Sequence, residues 1–300
     1  MDLADRQLVP RVRRIGTFGA VVGFLVSPAL FVLTAATVGQ AEAAALPRGW
    51  RSTTTANFVV QAALSDDELV ALGEQCETLL TELRAKWFGE GSAAVDAAEQ
   101  KSVARWTPRC LLVIHGASDT YLQAVPGGER TLGSSWIQTR EHRVVTRRVD
   151  IRGERENWFY GALAHELIHV LLADRIGGYP PARWAEEGLA ILADPTEKQQ
   201  RHDADFRAAA ARGSQFRLAE MLGYTEYPDA TRITAFYGQS ASLVRFLIQF
   251  RTPAEFSAFL KQAASYGYDA ALRSTYAIDG IADLERRWQA SLHTEELAIR

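Results

Sequence analysis

The segment HELIH at 165–169 is the part of this sequence with the clearest chemical meaning. It lies in an apolar stretch with helical periodicity, where a spacing of four residues puts His165 and His169 on one helix face, a turn apart. Two imidazoles placed in this way can occupy two of the four tetrahedral positions around a zinc ion. Glu166 would lie beside the water that the metal activates, where it can accept a proton and pass it to a leaving amine. The pattern therefore indicates hydrolysis assisted by a metal ion.

A catalytic zinc ion needs a third protein ligand, and two acids follow the motif at a suitable distance. Glu186 and Glu187 lie in the segment RWAEEGLA at 183–190, after a Gly-Gly and Pro-Pro turn at 177–181. Two helices joined by so short a connection can fold back across each other. Adjacent glutamates usually mark a solvated helix start, but here Trp184 and several small or apolar residues surround them. From the residues alone, either acid can complete the site.

The elements that must position these residues are strands early in the chain and helices later. Alternating or apolar runs indicate the strands, and apolar residues at helical spacing, with capping and stop signals, indicate the helices. A linker is expected over 46–55 and a loop or irregular helix over 90–107. The predicted strands are 56–63, 110–115, 133–139 and 144–151, and the predicted helices are 65–88, 157–176, 182–193, 205–212, 218–222, 235–251, 254–266 and 281–292. Strands followed by helices indicate the α+β class.

The two chemical segments together resemble the gluzincin group of metallopeptidases, which includes thermolysin and the aminopeptidase N family. HELIHVLL at 165–172, followed by WAEEGLA at 184–190, is most similar to the small peptidase MA-like domains of exported bacterial proteins. The pattern in those families is W-x-x-E-G-x-A, and its glutamate directly before glycine binds zinc; that position is Glu187. The resemblance is sharpest over residues 157–195 and extends over about 50–265.

This resemblance implies a single catalytic zinc ion, with His165, His169 and Glu187 as its protein ligands. Glu166 would act as general base and then as general acid. Glu186 would be a neighbour of the site, at the rim that faces the substrate. The implied substrate is a peptide or protein, hydrolysed at a peptide bond.

The resemblance also implies a fold. A zincin-like domain would occupy residues 46–300, with a mixed β-sheet whose edge hairpin packs on the HExxH helix and a mostly helical part over 205–300. In the family, the edge strand just before the zinc helix pairs with extended peptide substrate through backbone hydrogen bonds, which tolerate many sequences. The predicted hairpin at 133–151 fits this role, and a purely structural hairpin is an equal alternative.

A later segment, FYGQSASLVRFL at 236–247, is similar to the Y-x-Q-S helix that follows the zinc ligands in this group. A tyrosine or histidine near the metal often stabilises the tetrahedral oxyanion there, a role that any well-placed hydroxyl can fill. Tyr237 is the candidate for this role. The alternative is a core tyrosine whose hydroxyl makes an ordinary hydrogen bond.

The sequence departs from these relatives in two respects. The thermolysin type carries an acid four residues after the third ligand, which orients a zinc-bound histidine, and here that position is Ile191. Asp194 lies two helical turns after Glu187 on the same face and can substitute for it. No segment matches the Gly-rich exopeptidase signature of the aminopeptidase N type, which favours an endopeptidase.

Residues 1–45 have the order of features that export machinery reads. Four arginines lie in the first fourteen residues, residues 15–38 carry no charge, and an Ala-rich stretch follows. The apolar run is longer than usual for a cleaved signal and reaches the length that spans a bilayer. Cleavage near Ala41 or Ala43 would release an exported protein, and retention would leave a single-pass membrane anchor. Either outcome puts the rest of the chain outside the cytoplasm, because the arginine-rich side stays inside.

Composition excludes one class of partner. The 300 residues carry a formal net charge of -3, and the basic segments at 11–14 and 140–152 are short. Phosphate binding needs clustered Lys and Arg, so nucleic acid is not an expected partner. Cys76 and Cys110 can form one disulfide in an exported protein or remain two buried thiols.

Three interpretations of the whole chain remain. The first is an active zinc peptidase outside the cytoplasm. The second is a zincin-fold protein of the cell envelope that binds a peptide or a partner without cleaving it. The intact Glu166 argues against the second, because an inactive site usually loses its base. The third is a structural envelope protein in which the motif is accidental.

Overall fold

A computed structural model of the chain describes residues 46–89, 105–177, Tyr179 and 182–299, with side chains described up to residue 292. The predicted export segment and most of the predicted loop at 90–107 lie outside these residues. Among the helices of the described ranges, none is both long and apolar enough to cross a membrane. The described chain is a mixed α+β domain, as the order of elements predicted.

A five-stranded mixed sheet forms the β layer. Its strands are β1 (Arg51–Thr54), β2 (Phe58–Ala62), β3 (Cys110–His115), β4 (Gly133–Arg140) and β5 (Arg143–Arg152). The order across the sheet is β1-β2-β3-β5-β4. Strands β2, β3 and β5 run parallel, and each outer strand is antiparallel to its neighbour. Strand β4 therefore forms an edge of this sheet.

Helices dominate the second half of the chain. They are α1 (Asp66–Phe88), α2 (Ser118–Ala124), α3 (Ala164–Arg175), α4 (Arg183–Ala193), α5 (Thr196–Ala211), α6 (Leu218–Met221), α7 (Ile233–Phe250), α8 (Pro253–Tyr266), α9 (Tyr268–Tyr276) and α10 (Gly280–Ile299). One π-helical turn at Phe159–Leu163 leads directly into α3. Helix α3 lies between the sheet and the later helices, with β4 and β5 on one side and α4 on the other.

Helix α1 follows its local sequence closely. Ser65 and Glu68 form a capping box at its start, and Gly89 ends it with a φ of 68°. Reciprocal side-chain bonds satisfy the first free N–H groups of a helix, and glycine adopts the left-handed conformation after its last turn without steric cost. The helix coincides with the predicted one at 65–88 and packs on β1 and β2.

Strands β4 and β5 are joined by a tight turn, as the sequence predicted. Its two central residues, Glu141 and His142, have φ values of 50° and 59°, although neither is glycine. Positive φ at both central positions gives a turn whose twist matches the flanking strands. The strands pair from Gly133 opposite Ile151 up to the turn, with one irregularity at Gln138/Thr139.

The structure differs from the sequence prediction at several elements. Strand β1 lies where a linker was expected at 46–55. Its residues are polar and show no apolar alternation, so the sequence carries no strand signal there. It can still form a strand, because an outer strand pairs with only one neighbour. Helix α5 begins at Thr196 instead of 205. The apolar spacing did not predict its first turns, because they are polar and bury little. The short helices α2 and α9 were not predicted. None of these differences affects the strands and helices that carry the two chemical segments.

The two cysteines are free thiols in the structure. Of the two alternatives, it contains the pair of buried thiols and not the disulfide. Cys76 lies on α1 and Cys110 on β3, and both are buried. Burial raises the pKa of Cys76 to about 12 and also raises the pKa of Cys110. A thiol that stays protonated is a poor nucleophile and metal ligand, so both cysteines act as core residues.

Candidate metal centre

Helix α3 presents the two motif histidines from a rigid base. One side of the helix is fully buried in the core through Leu167, Ile168 and Leu172. The rings of His165 and His169 lie together on another face of the helix, edge to face, with centroids 5.1 Å apart. The spacing of four residues therefore places both imidazoles together, as the sequence predicted.

After α3 the chain turns back, and the next helix passes beside His165 and His169. Gly177 has a φ of 69° just beyond the end of the helix, and α4 begins at Arg183. Ligand atoms of His165, His169 and Glu187 lie within 4.8 Å of one another. Nε2 of His165 is 3.8 Å from Oε2 of Glu187. Two imidazole nitrogens and one carboxylate oxygen at these separations fit the ligand set of a zinc ion that keeps one position open.

Glu186 is not part of this cluster, whereas Glu187, the position that the resemblance predicted as a ligand, is. Its Oε2 accepts a hydrogen bond of 3.1 Å from Nη1 of Arg183, one turn earlier on α4. Burial raises the pKa of Glu186 to about 8, against the opposing effect of Arg183. The side chain is only 9% exposed and lines the same cavity as the two histidines, so Glu186 is a paired neighbour of the site.

Gly188 allows the helix that carries Glu187 to pack closely on α7. A Cβ atom at this position would lie 2.5 Å from the carbonyl oxygen of Ser240 and 2.5 Å from Cγ2 of Val244, both on α7. Helix α4 can therefore lie directly against α7 only because residue 188 has no side chain. The glycine after the glutamate in the motif is thus a packing requirement of the second helix.

Asp194 lies behind His165, on the side away from Glu187. Its Oδ2 is 3.2 Å from Nδ1 of His165, and its side chain is fully buried. Lys198 donates to Oδ1 of the same carboxylate over 3.0 Å. A carboxylate in this position fixes the imidazole orientation and leaves Nε2 for a metal ion. Ile191, at the thermolysin-type position, is a core residue.

The two histidines have different electrostatic surroundings. Burial lowers the pKa of each, but for His165 the neighbouring Asp194 more than offsets this effect and the pKa is raised. The pKa of His169 is well below its ordinary value because of burial and the nearby His165. Burial by itself raises the pKa of Asp194, and His165 and Lys198 reverse this, so that its pKa is lowered. Asp194 therefore stays ionised beside His165.

Glu166 is buried between α3 and the edge strand. A Cβ atom on Gly133 would lie 2.8 Å from Cγ of Glu166, so β4 approaches the carboxylate closely because residue 133 is glycine. Burial raises the pKa of Glu166, while His165 and the Ser135 side chain favour its ionised form. A carboxyl group with a raised pKa is suited to accept and return a proton near neutral pH.

Tyr227 contacts the site although no sequence motif predicted it. Its hydroxyl donates a hydrogen bond of 2.5 Å to Oε1 of Glu187. The guanidinium of Arg183 lies over its ring, 5.0 Å from the centroid. Tyr227 lies in the connection between α6 and α7, and no spacing in the sequence relates it to the motif.

Tyr237 is buried and lines the same cavity as His165, His169 and Glu187. Its ring centroid lies 6.3 Å from that of Tyr227 and 5.9 Å from that of His202. Burial raises the pKa of Tyr237, and the nearby Glu187 raises it further. Its hydroxyl therefore stays protonated and can act only as a neutral hydrogen-bond donor or acceptor.

The cluster opens into a groove of about 1180 Å³. Strand β4 lines one side of the groove, and α3, α4 and the connection after α6 line the others. Beyond His169 the lining is mostly apolar and includes Ile137, Ala173, Ile176, Tyr179, Leu260 and Tyr268. Toward Glu166 the groove continues past Leu132 to the turn at 125–128.

Two histidines on one helix and a glutamate on the next define the class of mononuclear metal sites found in metallopeptidases. Residues 139–294 match the family model of the Peptidase MA superfamily, so the chain belongs to this superfamily. The match covers 156 of the 300 residues and includes the whole candidate metal centre. Members of this superfamily are typically zinc-dependent. No curated protein shows significant sequence similarity to the chain.

Proposed function

We propose that this chain is a zinc-dependent peptidase that hydrolyses peptide bonds, with His165, His169 and Glu187 as the metal ligands. One observation carries the proposal: three buried or nearly buried ligand groups from two helices meet within 4.8 Å, beside a buried glutamate. The glutamate, Glu166, directly follows the first ligand in the sequence. Membership of the Peptidase MA superfamily supports a peptidase function.

Bound zinc would act as a Lewis acid that polarises a carbonyl group and activates water at neutral pH. Glu166 accepts a proton from the attacking water and returns it to the leaving amine, for which its raised pKa is suited. Asp194 holds the ring of His165 through Nδ1. Tyr237 donates a hydrogen bond to the oxygen on which negative charge develops, because its hydroxyl stays protonated and lines the groove.

The groove supports an endopeptidase. It extends along β4 on both sides of the ligand cluster, from the turn at 125–128 to the apolar end around Leu260. A peptide that added to the edge of β4 as an extra strand would pass the cluster with chain continuing in both directions. Backbone pairing of this kind places the scissile bond without recognising every side chain.

The place of action is a further part of the proposal. The uncharged segment at 15–38 and the arginines before it support export or membrane anchoring, with the peptidase domain outside the cytoplasm. Fusion of an alkaline phosphatase reporter after residue 300 tests this in a bacterial host. Phosphatase activity is expected only if the C-terminal part is exported, and an inactive reporter contradicts the placement.

The first experiment combines metal content with cleavage. The full chain is purified in mild detergent beside Glu166→Gln, Glu187→Gln and the matched neighbour Glu186→Gln. Zinc per chain is measured by elemental analysis, and cleavage by mass spectrometry of a proteome-derived peptide library. We expect about one zinc in the wild type, in Glu166→Gln and in Glu186→Gln, and a large loss in Glu187→Gln. Cleavage should require both zinc and Glu166.

Other results of this experiment would favour another function for the chain. Stoichiometric zinc with binding but no cleavage of any peptide favours the catalytically silent, peptide- or partner-binding alternative. No zinc in the purified chain, and no uptake at micromolar zinc, rejects the metal site and the proposal with it.

A further inference from the structure

The face of β4 that points away from α3 carries a second set of polar residues. Gly133 and Ser135 face Glu166, so the alternate residues Ser134 and Trp136 point to the opposite face of the sheet. Trp136 is paired with Arg148 across the strands, and Ser134 with Asp150. Directly paired residues lie on the same face of a sheet. Arg148 and Asp150 therefore lie on the outer face, beside Ser134 and Trp136.

Arg148 is held there in a fixed orientation. Its Nε and Nη2 donate to the two oxygens of Asp150, over 2.7 and 2.9 Å. Nε2 of His115 is 2.9 Å from the same carboxylate, which is buried. Within the described residues Nη1 of Arg148 has no partner, and the side chain is 35% exposed. One edge of the guanidinium is thus fixed by the protein and the other is left with free N–H donors.

The neighbouring Arg147 shows what a purely structural arginine looks like in this hairpin. Its side chain is only 6% exposed. It donates through Nε and Nη2 to Asp174 and through Nη1 to the carbonyl of Pro108, and its guanidinium lies over the ring of Trp106. Every nitrogen of the Arg147 guanidinium therefore has a partner, whereas Arg148 makes hydrogen bonds only through Nε and Nη2 within the described residues.

A recess surrounds the free edge of Arg148. The segment 123–128 lines one side of it, and Trp136 lines another. Trp136 is 45% exposed, and its side chain makes no hydrogen bond or ring contact in the part of the chain that the structure describes. Ser134 is small, so a side chain from a strand beside β4 can reach across it. The recess and the metal centre belong to one cavity, which therefore extends around the edge of β4.

We propose that this outer recess, lined by Ser134, Trp136 and Arg148, binds an acidic side chain of the substrate. The inference rests on the proposed function, because it needs a peptide added to the edge of β4. Successive side chains of such a peptide point to opposite faces, so residues that alternate with those facing the metal centre lie over the recess. A carboxylate there accepts hydrogen bonds from the free guanidinium edge of Arg148, and Trp136 covers its aliphatic stem.

The test uses peptides that differ at one position. From a peptide cleaved by the full chain, Glu and Gln versions are made at each of six positions around the cleaved bond, and kcat/KM is measured for each. At one or two alternate positions we expect Glu to exceed Gln by roughly two- to fivefold, the usual scale of a partly solvated charge pair, mainly through KM. Trp136→Ala should weaken binding of both versions.

Two variants separate recognition from folding. Arg148→Gln leaves the Asp150 carboxylate with His115 alone and can destabilise the chain, whereas Arg148→Gln combined with Asp150→Asn removes both charges together. Both should lose the preference for Glu over Gln, and both should retain zinc. Arg140→Gln, an exposed change on the same hairpin, is the matched control and should keep the preference.

The outcomes also separate this inference from the proposed function. Peptide binding to Glu166→Gln is measured in parallel, so the preference can be read even if the chain binds without cleaving. Equal kcat/KM for Glu and Gln at every position, or a preference that persists in the double variant, overturns the acidic recess while zinc and cleavage remain. A chain that neither cleaves nor binds peptides overturns both.

Discussion

The hydroxyl of Tyr227 donates to Oε1 of Glu187 over 2.5 Å, while Oε2 of the same carboxylate faces His165. One carboxylate oxygen of Glu187 is therefore held by the protein, and the other is directed toward the proposed metal position. Burial and the nearby Glu187 keep the pKa of Tyr227 well above its ordinary value, so this hydroxyl remains a donor. Arg183 fixes the tyrosine in turn, by covering its ring.

This relationship predicts that Tyr227→Phe weakens zinc binding. Removing a hydrogen bond that orients a metal ligand typically costs roughly 10- to 100-fold in affinity. The measurement is a competition titration against a chromophoric zinc chelator. Tyr224→Phe is the matched control, because its hydroxyl donates to Glu220 on the surface. Equal affinities of the two variants would show that Tyr227 does not position Glu187.

Asp194→Asn should also weaken zinc binding. The Asp194 carboxylate accepts a hydrogen bond from Nδ1 of His165 and is itself held by Lys198. Its loss frees the imidazole ring and removes a buried negative charge near the proposed zinc position. We expect a decrease of roughly 10- to 100-fold in zinc affinity, in the same titration. Asp203→Asn, which loses an ion pair with Arg245 nearer the surface, should leave the affinity unchanged. An unchanged affinity in Asp194→Asn contradicts the orienting role.

Gly188→Ala should destabilise the metal-free protein. Its Cβ atom would lie 2.5 Å from a backbone oxygen of α7, so α4 must move away from α7. An overpacked contact of this kind costs about 1–3 kcal/mol, measurable by urea denaturation. In Gly116→Ala the new Cβ meets no atom within 4 Å, and this control should be nearly neutral. If both variants unfold at the same urea concentration, α4 does not depend on this close approach.

The lowered pKa of Asp150 should make the stability of the fold depend on pH. Burial alone raises its pKa, but Arg148 on its own strand and His115 on β3 reverse this and hold the pKa below its ordinary 3.8. The folded state therefore gains stability from Asp150 above pH 3.8, and this gain is lost as the pH falls toward the lowered pKa.

Asp150→Asn should accordingly reduce the free energy of unfolding at pH 7, by roughly 1–3 kcal/mol because Arg148 is partly solvated. The difference from the wild type should stay constant down to about pH 4.5 and shrink below pH 3.8. Urea denaturation at several pH values measures it, with the exposed Asp67→Asn as control. A deficit that grows on acidification contradicts the assigned direction.

Local rules were enough for several parts of this protein. The helical repeat alone brings His165 and His169 together, because residues four apart share a face. The capping box of Ser65 and Glu68 likewise depends on residues three apart, and the hairpin turn on four consecutive residues. In each case the atoms that interact are neighbours along the chain, so the residue types carry the information.

Tertiary structure decided the rest. The residue types by themselves allowed either Glu186 or Glu187 beside the histidines, and only the family resemblance predicted Glu187. The packing of α4 against α3 and α7 is what brings the Glu187 carboxylate to the two imidazoles. The contact of Tyr227 with Glu187 joins residues forty positions apart. The recess at Arg148 exists because β4 and β5 pair in one register. These relationships depend on how separate elements pack, and no local spacing encodes the distances between them.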